Sequence, residues 1–234
     1  MNKKAVLFDL DNTLYDYDRV HKLALKAVFN ELRKHIEIKW DQFEKLFKIS
    51  RREINRELSG TASAHNRVLY FQRLVEKTHE SINPQVILKL YNAYWDTSLK
   101  EMFLRKDALD LLKSLKSENV KIAIVSDLTT NIQLRKIHKL GISKYVDVVV
   151  TSEEAGSEKP HSIMFLLALN KLGVSPSEAM MVGDNTVADI EGANFVGLDT
   201  VLLKKGPLAR KSKEDYEKPN FVIKKLKDLK KILC

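Results

Sequence analysis

The stretch Ala5-Val6-Leu7-Phe8-Asp9-Leu10-Asp11-Asn12-Thr13 runs four strand-forming residues straight into two carboxylates. A short apolar run without alternation reads as a strand buried on both faces, as in a parallel sheet. Such a strand normally continues apolar or turns at Gly or Asn. Here it ends in Asp9 and Asp11. In open parallel sheets ligands bind outside the carboxyl ends of the strands, which is where both acids fall. Two close carboxylates repel unless a cation, a proton or a basic side chain offsets the charge. The pair therefore predicts a metal and acid chemistry at the top of the first strand.

Matching parts recur along the chain. Ile122-Ala123-Ile124-Val125 ends in Ser126-Asp127, Lys159-Pro160 precedes a helical pattern, and Met180-Met181-Val182 ends in Gly183-Asp184, with Asp189 following. Singly, each has a bland reading: a helix cap, a solvated loop lysine, a turn. In this order, each at a strand end or loop, they are specific together. The set resembles the haloacid dehalogenase superfamily in its phosphatase branch. That family's motifs look like Asp-x-Asp-x-Thr after strand one, Ser or Thr after strand two, Lys ahead of a late helix, and Gly-Asp-x-x-x-x-Asp. They correspond here to Asp9, Asp11 and Thr13, to Ser126, to Lys159, and to Asp184 and Asp189. The likeness continues through Ile190-Glu191-Gly192-Ala193 and Leu198-Asp199-Thr200-Val201. True dehalogenases resemble this pattern but lack the second acid of the first motif, which Asp11 supplies here.

Between the first motif and residue 97 the apolar spacing is helical. Val20, Leu23, Ala24, Ala27 and Val28 form one face, and Phe43, Leu46, Phe47 and Ile54 a second that ends near Ser59-Gly60. A third helix is expected from about Asn66 to Thr78, and Asn83-Pro84 reads as a cap and first-turn proline opening a fourth. From Phe103 helix and strand alternate: helices at 107–117, 130–139, 161–172 and 187–195, strands at 120–125, 147–150, 179–182 and 199–203, and a short last strand at Phe221–Ile223. The fold class expected is α/β, a Rossmann-like parallel sheet with helices on both faces and an inserted all-helical domain. The core takes 1–13 and 98–234. The insert at 14–97 resembles the small helical cap of the family's first cap class.

Composition sets limits. The chain has 234 residues, 44% hydrophobic and 30% charged, and no stretch approaches the roughly 20 apolar residues of a membrane span. Lys3-Lys4 and the following apolar run stop at Asp9, short of a signal-peptide core. The single cysteine, Cys234, excludes an internal disulfide, and the cytoplasm is expected. Of the net charge of +9, the segment 204–231 carries +7, with eleven Lys/Arg against four acids. Such a stretch could touch nucleic acid. It is read instead as a solvated loop (204–220) and one helix face, so neither a nucleic-acid nor a membrane partner is expected.

The resemblance implies roles for the residues. A carboxylate can act as nucleophile toward a phosphate monoester, and the resemblance assigns this to Asp9. Asp11 would protonate the leaving oxygen and later take a proton from water, which calls for a raised pKa. Mg²⁺ is the implied cofactor, with Asp9, Asp184 and the backbone carbonyl of Asp11 as ligands and Asp189 supporting the shell. Thr13, Ser126, Asp127 and Lys159 are expected at the substrate, Lys159 also restraining Asp9. Relatives often carry Asn where Asp127 stands. A carboxylate facing phosphate repels it, so Asp127 is expected to turn away and cap the helix starting near Thr129. His21 stays open between an ordinary helix residue, a substrate contact and mutase-like proton transfer. Arg67, in His65-Asn66-Arg67, is either a specificity residue that forks onto a phosphate or carboxylate, or part of a solvated face.

Three functions compete. The leading one is a Mg²⁺-dependent phosphatase acting on a small organic phosphate monoester through an aspartyl-phosphate, working as a monomer or homodimer. A sugar phosphomutase with the same core would be revealed by a sugar bisphosphate requirement. A phospho-accepting binding module gains nothing from a hydrolytic acid and a lid. The sequence names neither the phosphorylated substrate nor the oligomeric state.

Overall fold

The computed structural model describes residues 3–78, 82–204 and 215–233. Most of the loop expected over 204–220, and Cys234, lie outside those residues. The chain divides into two compact units, Met1–Asp16 with Phe103–Cys234, and Tyr17–Met102. Strand β1 (Ala5–Phe8) opens the first, all four residues wholly buried. Their burial explains the unbroken apolar run: both faces of the strand are covered.

Among its described residues the second unit has helices and no strand. It contains α1 (Tyr17–Leu32), α2 (Trp40–Glu57), α3 (Arg67–Glu76) and α4 (Pro84–Glu101). The four-residue step of Val20, Ala24, Val28 and Leu32 puts one stripe of α1 in the core. The starts of α3 and α4 follow from capping chemistry. Asn66 Oδ1 accepts from Val68 N at 3.0 Å, and Asn83 Oδ1 from Val86 N at 3.2 Å, with Pro84 in the first turn where no N–H is needed. A 3₁₀ turn at Ala62–His65, not expected from the sequence, leads into α3.

The first unit continues through α5 (Ala108–Ser117), β2 (Lys121–Ser126), α6 (Thr130–Lys139), β3 (Val148–Thr151), α7 (Ser152–Ala155) and α8 (Ser162–Leu172). Then come β4 (Ala179–Gly183), α9 (Gly192–Val196), β5 (Asp199–Leu203), β6 (Phe221–Ile223) and α10 (Lys230–Leu233). The six strands form one parallel sheet in the order β3-β2-β1-β4-β5-β6. Ala5 and Leu7 pack with Met164, Phe165 and Ala168 of α8, while Val6 and Phe8 are equally buried on the opposite face. Gly173 stops α8 in the left-handed conformation, φ 66°. Among the described residues no helix is long and apolar enough to cross a membrane.

The register places the site. Phe8 lies opposite Ile124 of β2 and Val182 of β4, so Asp9, Ser126 and Gly183 gather at the carboxyl edge of the sheet. The strand order reverses between β1 and β4, the topological switch point where open α/β sheets bind ligands. A further element differs from expectation. The helix foreseen at 187–195 begins as a π-helical turn, Thr186–Glu191, before α9. Asn185 Oδ1 accepts from both Val187 N and Ala188 N, and the wide turn carries Asp189 into the interior.

Candidate active site

Asp9 leaves β1 almost fully buried, its amide bonded to Val182 O at 3.0 Å. Both carboxylate oxygens are held. Lys159 Nζ donates to Oδ1 at 2.7 Å and Thr13 Oγ1 to Oδ2 at 2.8 Å. Lys159 also donates to Asp189 Oδ1 at 2.7 Å, so two buried acids share one ammonium. Burial pushes the Asp9 carboxyl up to about 7; Lys159 pulls against the rise, and Asp189 and Asp11 add to it. Asp189 is raised by burial too, with Lys159 opposing. Burial works against the Lys159 ammonium, yet Asp189 and Asp9 hold it well above its usual range.

The loops around this cluster are built for close approach. Arg105 Nε and Nη2 bond Thr13 O and Asn12 O, each at 2.9 Å, and fix the turn after β1, where Asn12 is left-handed at φ 69°. A Cβ on Gly183 would sit 2.2 Å from Asp189 Oδ2, so only glycine lets the end of β4 meet that carboxylate. The Lys159–Pro160 peptide is cis.

Asp11 points elsewhere. Lys136 Nζ of α6 donates to both its oxygens at 2.7 Å, and Tyr15 OH to Oδ1 at 2.6 Å. Ser126 Oγ accepts from Gln133 Nε2 at 2.7 Å. Asp127 corrects an expectation: Thr129, not Asp127, is the N-cap of α6, and it makes no side-chain cap bond. Asp127 Oδ1 instead accepts from Lys159 N at 2.9 Å. The loop that presents Lys159 supplies an unpaired backbone donor, which satisfies a half-buried carboxylate better than a solvated helix end. Burial raises the Asp127 carboxyl, and Lys159 opposes the rise.

The donor set suits a hard divalent cation. Asp9, Asp184 and Asp189 each offer a carboxylate oxygen, and these atoms lie within 4.8 Å of one another. All are oxygen donors, Asp9 from the end of β1 and Asp184 and Asp189 from the segment after β4, and Asp9 and Asp189 share one lysine between two acids. The side chain of Asp11 is outside this group.

Residues 6–203 match the model of the haloacid dehalogenase-like hydrolases. The chain belongs to that family. A ribulose-1,5-bisphosphate 5-phosphatase of Halopiger xanaduensis is 48% identical over 200 residues, 85% of this chain and 83% of the relative. A glyceraldehyde 3-phosphate phosphatase of Methanopyrus kandleri is 33% identical over 229 residues, 97% of this chain and 95% of the relative. Among solved structures, a HAD phosphatase from Thermococcus onnurineus superposes with a TM-score of 0.77 at 26% identity, covering 98% of this chain and 97% of that one. This haloacid dehalogenase-like hydrolase is a phosphoric monoester hydrolase, the class of the Halopiger and Methanopyrus relatives.

In the sheet unit, the sequence-expected residues Asp9, Thr13, Lys159 and Asp189 meet by direct hydrogen bonds. Thr13 is fully buried and its hydroxyl is committed to Asp9, which suits bracing that carboxylate more than touching a substrate. Sequence reading missed Lys136, Gln133 and Tyr15. The signal was available for two of them: Gln133 and Lys136 stand among Ile132 and Ile137 on the buried face of α6. A polar pair at i, i+3 inside an apolar stripe needs partners there.

In the helical unit, Arg67 and His21 belong to one aromatic nest. Arg67 is 7% exposed, and its guanidinium lies 5.2, 5.3 and 5.9 Å from the rings of Tyr70, Tyr94 and Trp95. It donates to His65 O at 2.5 Å and Tyr17 OH at 2.7 Å, while its Nε has no partner. Among the described residues no carboxylate pairs with it. The solvated-face alternative is thereby excluded for Arg67. His21 stacks on Tyr17 at 5.3 Å, and its Nδ1 lies 2.7 Å from Tyr94 OH.

Proposed function

We propose that the protein is a Mg²⁺-dependent phosphatase that removes one phosphate from a small sugar bisphosphate through an aspartyl-phosphate on Asp9. The observation that carries the reading is the Asp9 carboxylate at the sheet's switch point, braced by Lys159 and Thr13 and grouped with Asp184 and Asp189. An Asp9 oxygen attacks phosphorus, the P–O ester bond breaks, and Asp11 gives its proton to the leaving oxygen. Water then attacks the acyl phosphate and passes a proton to Asp11. Orthophosphate leaves and the Asp9 carboxylate is restored. Asp9 and Asp184, with the Asp11 carbonyl, would hold the Mg²⁺, and Asp189 would support them. The ion supplies charge neutralisation at the phosphoryl oxygens. Ser126 and Lys159 donate to those oxygens.

The substrate class rests on two supports. The Halopiger relative is named for a sugar bisphosphate. Among the described residues Arg67 is a buried cation without a carboxylate counter-ion, a costly arrangement that a second anionic group on a ligand would relieve. Residues 17–102 would then serve as the cap that selects the substrate, with His21 beside Arg67 as a neutral contact. The test is orthophosphate release with Mg²⁺ from ribulose 1,5-bisphosphate, glyceraldehyde 3-phosphate and p-nitrophenyl phosphate. The expected order of kcat/KM places the bisphosphate first. No release from any of the three would overturn the phosphatase reading. Migration of phosphate between positions without release would make the protein a mutase.

A further inference from the structure

Gln133 is wholly buried on α6, and its hydrogen bonds follow a strict order. Its Nε2 lies 2.6 Å from Asp127 O and 2.7 Å from Ser126 Oγ. A backbone carbonyl only accepts, so the amide nitrogen must face Asp127 O, and the side chain cannot be turned the other way. With that orientation fixed, the same nitrogen donates to Ser126 Oγ. A hydroxyl has one proton and two lone pairs. Since Gln133 occupies a lone pair, the proton of Ser126 must leave in another direction, and no described residue accepts it. The Gln133 Oε1 on the far side is buried without a partner. A leucine would avoid that unpaired acceptor, so packing alone does not account for glutamine here.

We propose that Gln133 is a positioning residue that locks the Ser126 hydroxyl as a donor toward the phosphoryl group. Gln133 touches no reacting atom and acts through Ser126. Its bond to Asp127 O also holds the turn between β2 and α6, where Leu128 sits at φ 101°. The inference rests on the phosphatase reading, in which Ser126 binds a phosphoryl oxygen.

The test is a double-mutant cycle with p-nitrophenyl phosphate turnover and inhibition by inorganic orthophosphate, alongside thermal unfolding of each variant. Gln133→Leu should still fold and unfold cooperatively, yet lose roughly tenfold or more in kcat/KM and weaken the orthophosphate Ki by a similar factor. Ser126→Ala should show a comparable loss. Adding Gln133→Leu to Ser126→Ala should then cost less than about twofold, because the hydroxyl that Gln133 orients is gone. Gln133→Met, with an unbranched side chain along the same path, repeats the measurement should the leucine variant be unstable. Full additivity of the two losses, or wild-type activity in Gln133→Leu beside an impaired Ser126→Ala, overturns the positioning role alone. A harmless Ser126→Ala overturns the phosphoryl-contact reading and the inference with it.

Discussion

Lys136 Nζ lies 2.7 Å from each carboxylate oxygen of Asp11, across 125 residues of sequence. The lysine is 1% exposed and belongs to α6, whereas Asp11 follows β1. Because β1 and β2 are neighbours in the sheet, the helix after β2 reaches back over the end of β1. The position of the second acid is thus set by an element far from the motif that contains it.

Lys136→Met should keep the packing and remove the donors. Charge-assisted hydrogen bonds are typically worth about 1.5–3 kcal/mol, so kcat/KM should drop roughly ten- to a hundredfold. The loss should be larger for an alkyl phosphate than for p-nitrophenyl phosphate, whose leaving group needs less help from an acid. Equal losses on both, with earlier unfolding, would assign Lys136 to stability alone.

Asp9→Asn should fold and release no orthophosphate, since an amide is neither a nucleophile nor an anionic ligand. Asp184→Ala should differ, raising the Mg²⁺ concentration needed for half-maximal rate and regaining activity as Mg²⁺ is added. Dialysis of the wild type against a chelator should abolish turnover, and Mg²⁺ should restore it. Full activity after chelation would remove the metal from the proposed function.

His21 predicts a pH effect on stability. Burial, then the charges of Arg67 and Arg51, lower its pKa from 6.5 to about 3. The unfolded chain takes up a proton below about pH 6.5 while the folded chain does not until about pH 3. Folding stability from this site is therefore complete above pH 6.5 and is lost as pH falls through that window, at about 1.4 kcal/mol per pH unit. Urea unfolding at pH 7 and pH 5 should show wild type losing about 2 kcal/mol more than His21→Gln. An identical pH response in the two proteins would show that His21 ionises freely in the folded state.

The sheet was legible because buried parallel strands announce themselves as unbroken apolar runs, and Phe8 and Val125 each stand just before a polar residue, Val182 just before Gly183-Asp184. Asp9 and Lys159 were legible because each occupies a strand end or loop, and Asp189 because it stands at motif spacing after Asp184. Lys136 and Gln133 were legible only as buried polar residues in need of partners, since a helix interior gives no local sign of which strand end its polar residues will meet. The π turn at Thr186–Glu191 escaped because its residue types fit an ordinary helix equally well. Asp127 was misassigned for a related reason: helix capping is a local rule, whereas the Lys159 amide that claims its carboxylate comes from 32 residues away.

Arg67 gives the sharpest test of substrate choice. Its guanidinium is enclosed by Tyr70, Tyr94 and Trp95 and has no acid partner among the described residues. Arg67→Met keeps an apolar chain among the rings and deletes only the charge and the donors. If the second anionic group of a bisphosphate binds there, kcat/KM for ribulose 1,5-bisphosphate should fall roughly ten- to a hundredfold, the loss of a charged hydrogen bond at about 1.5–3 kcal/mol. p-Nitrophenyl phosphate has no second anion, so its turnover should change less than about twofold. Thermal unfolding is measured alongside, because the variant removes both the desolvation cost of a buried charge and its bonds to His65 O and Tyr17 OH. Equal losses on both substrates would place Arg67 in the folding of the helical unit. Unchanged turnover of both would leave the bisphosphate without its anchor and move the search for the second-anion contact to another residue.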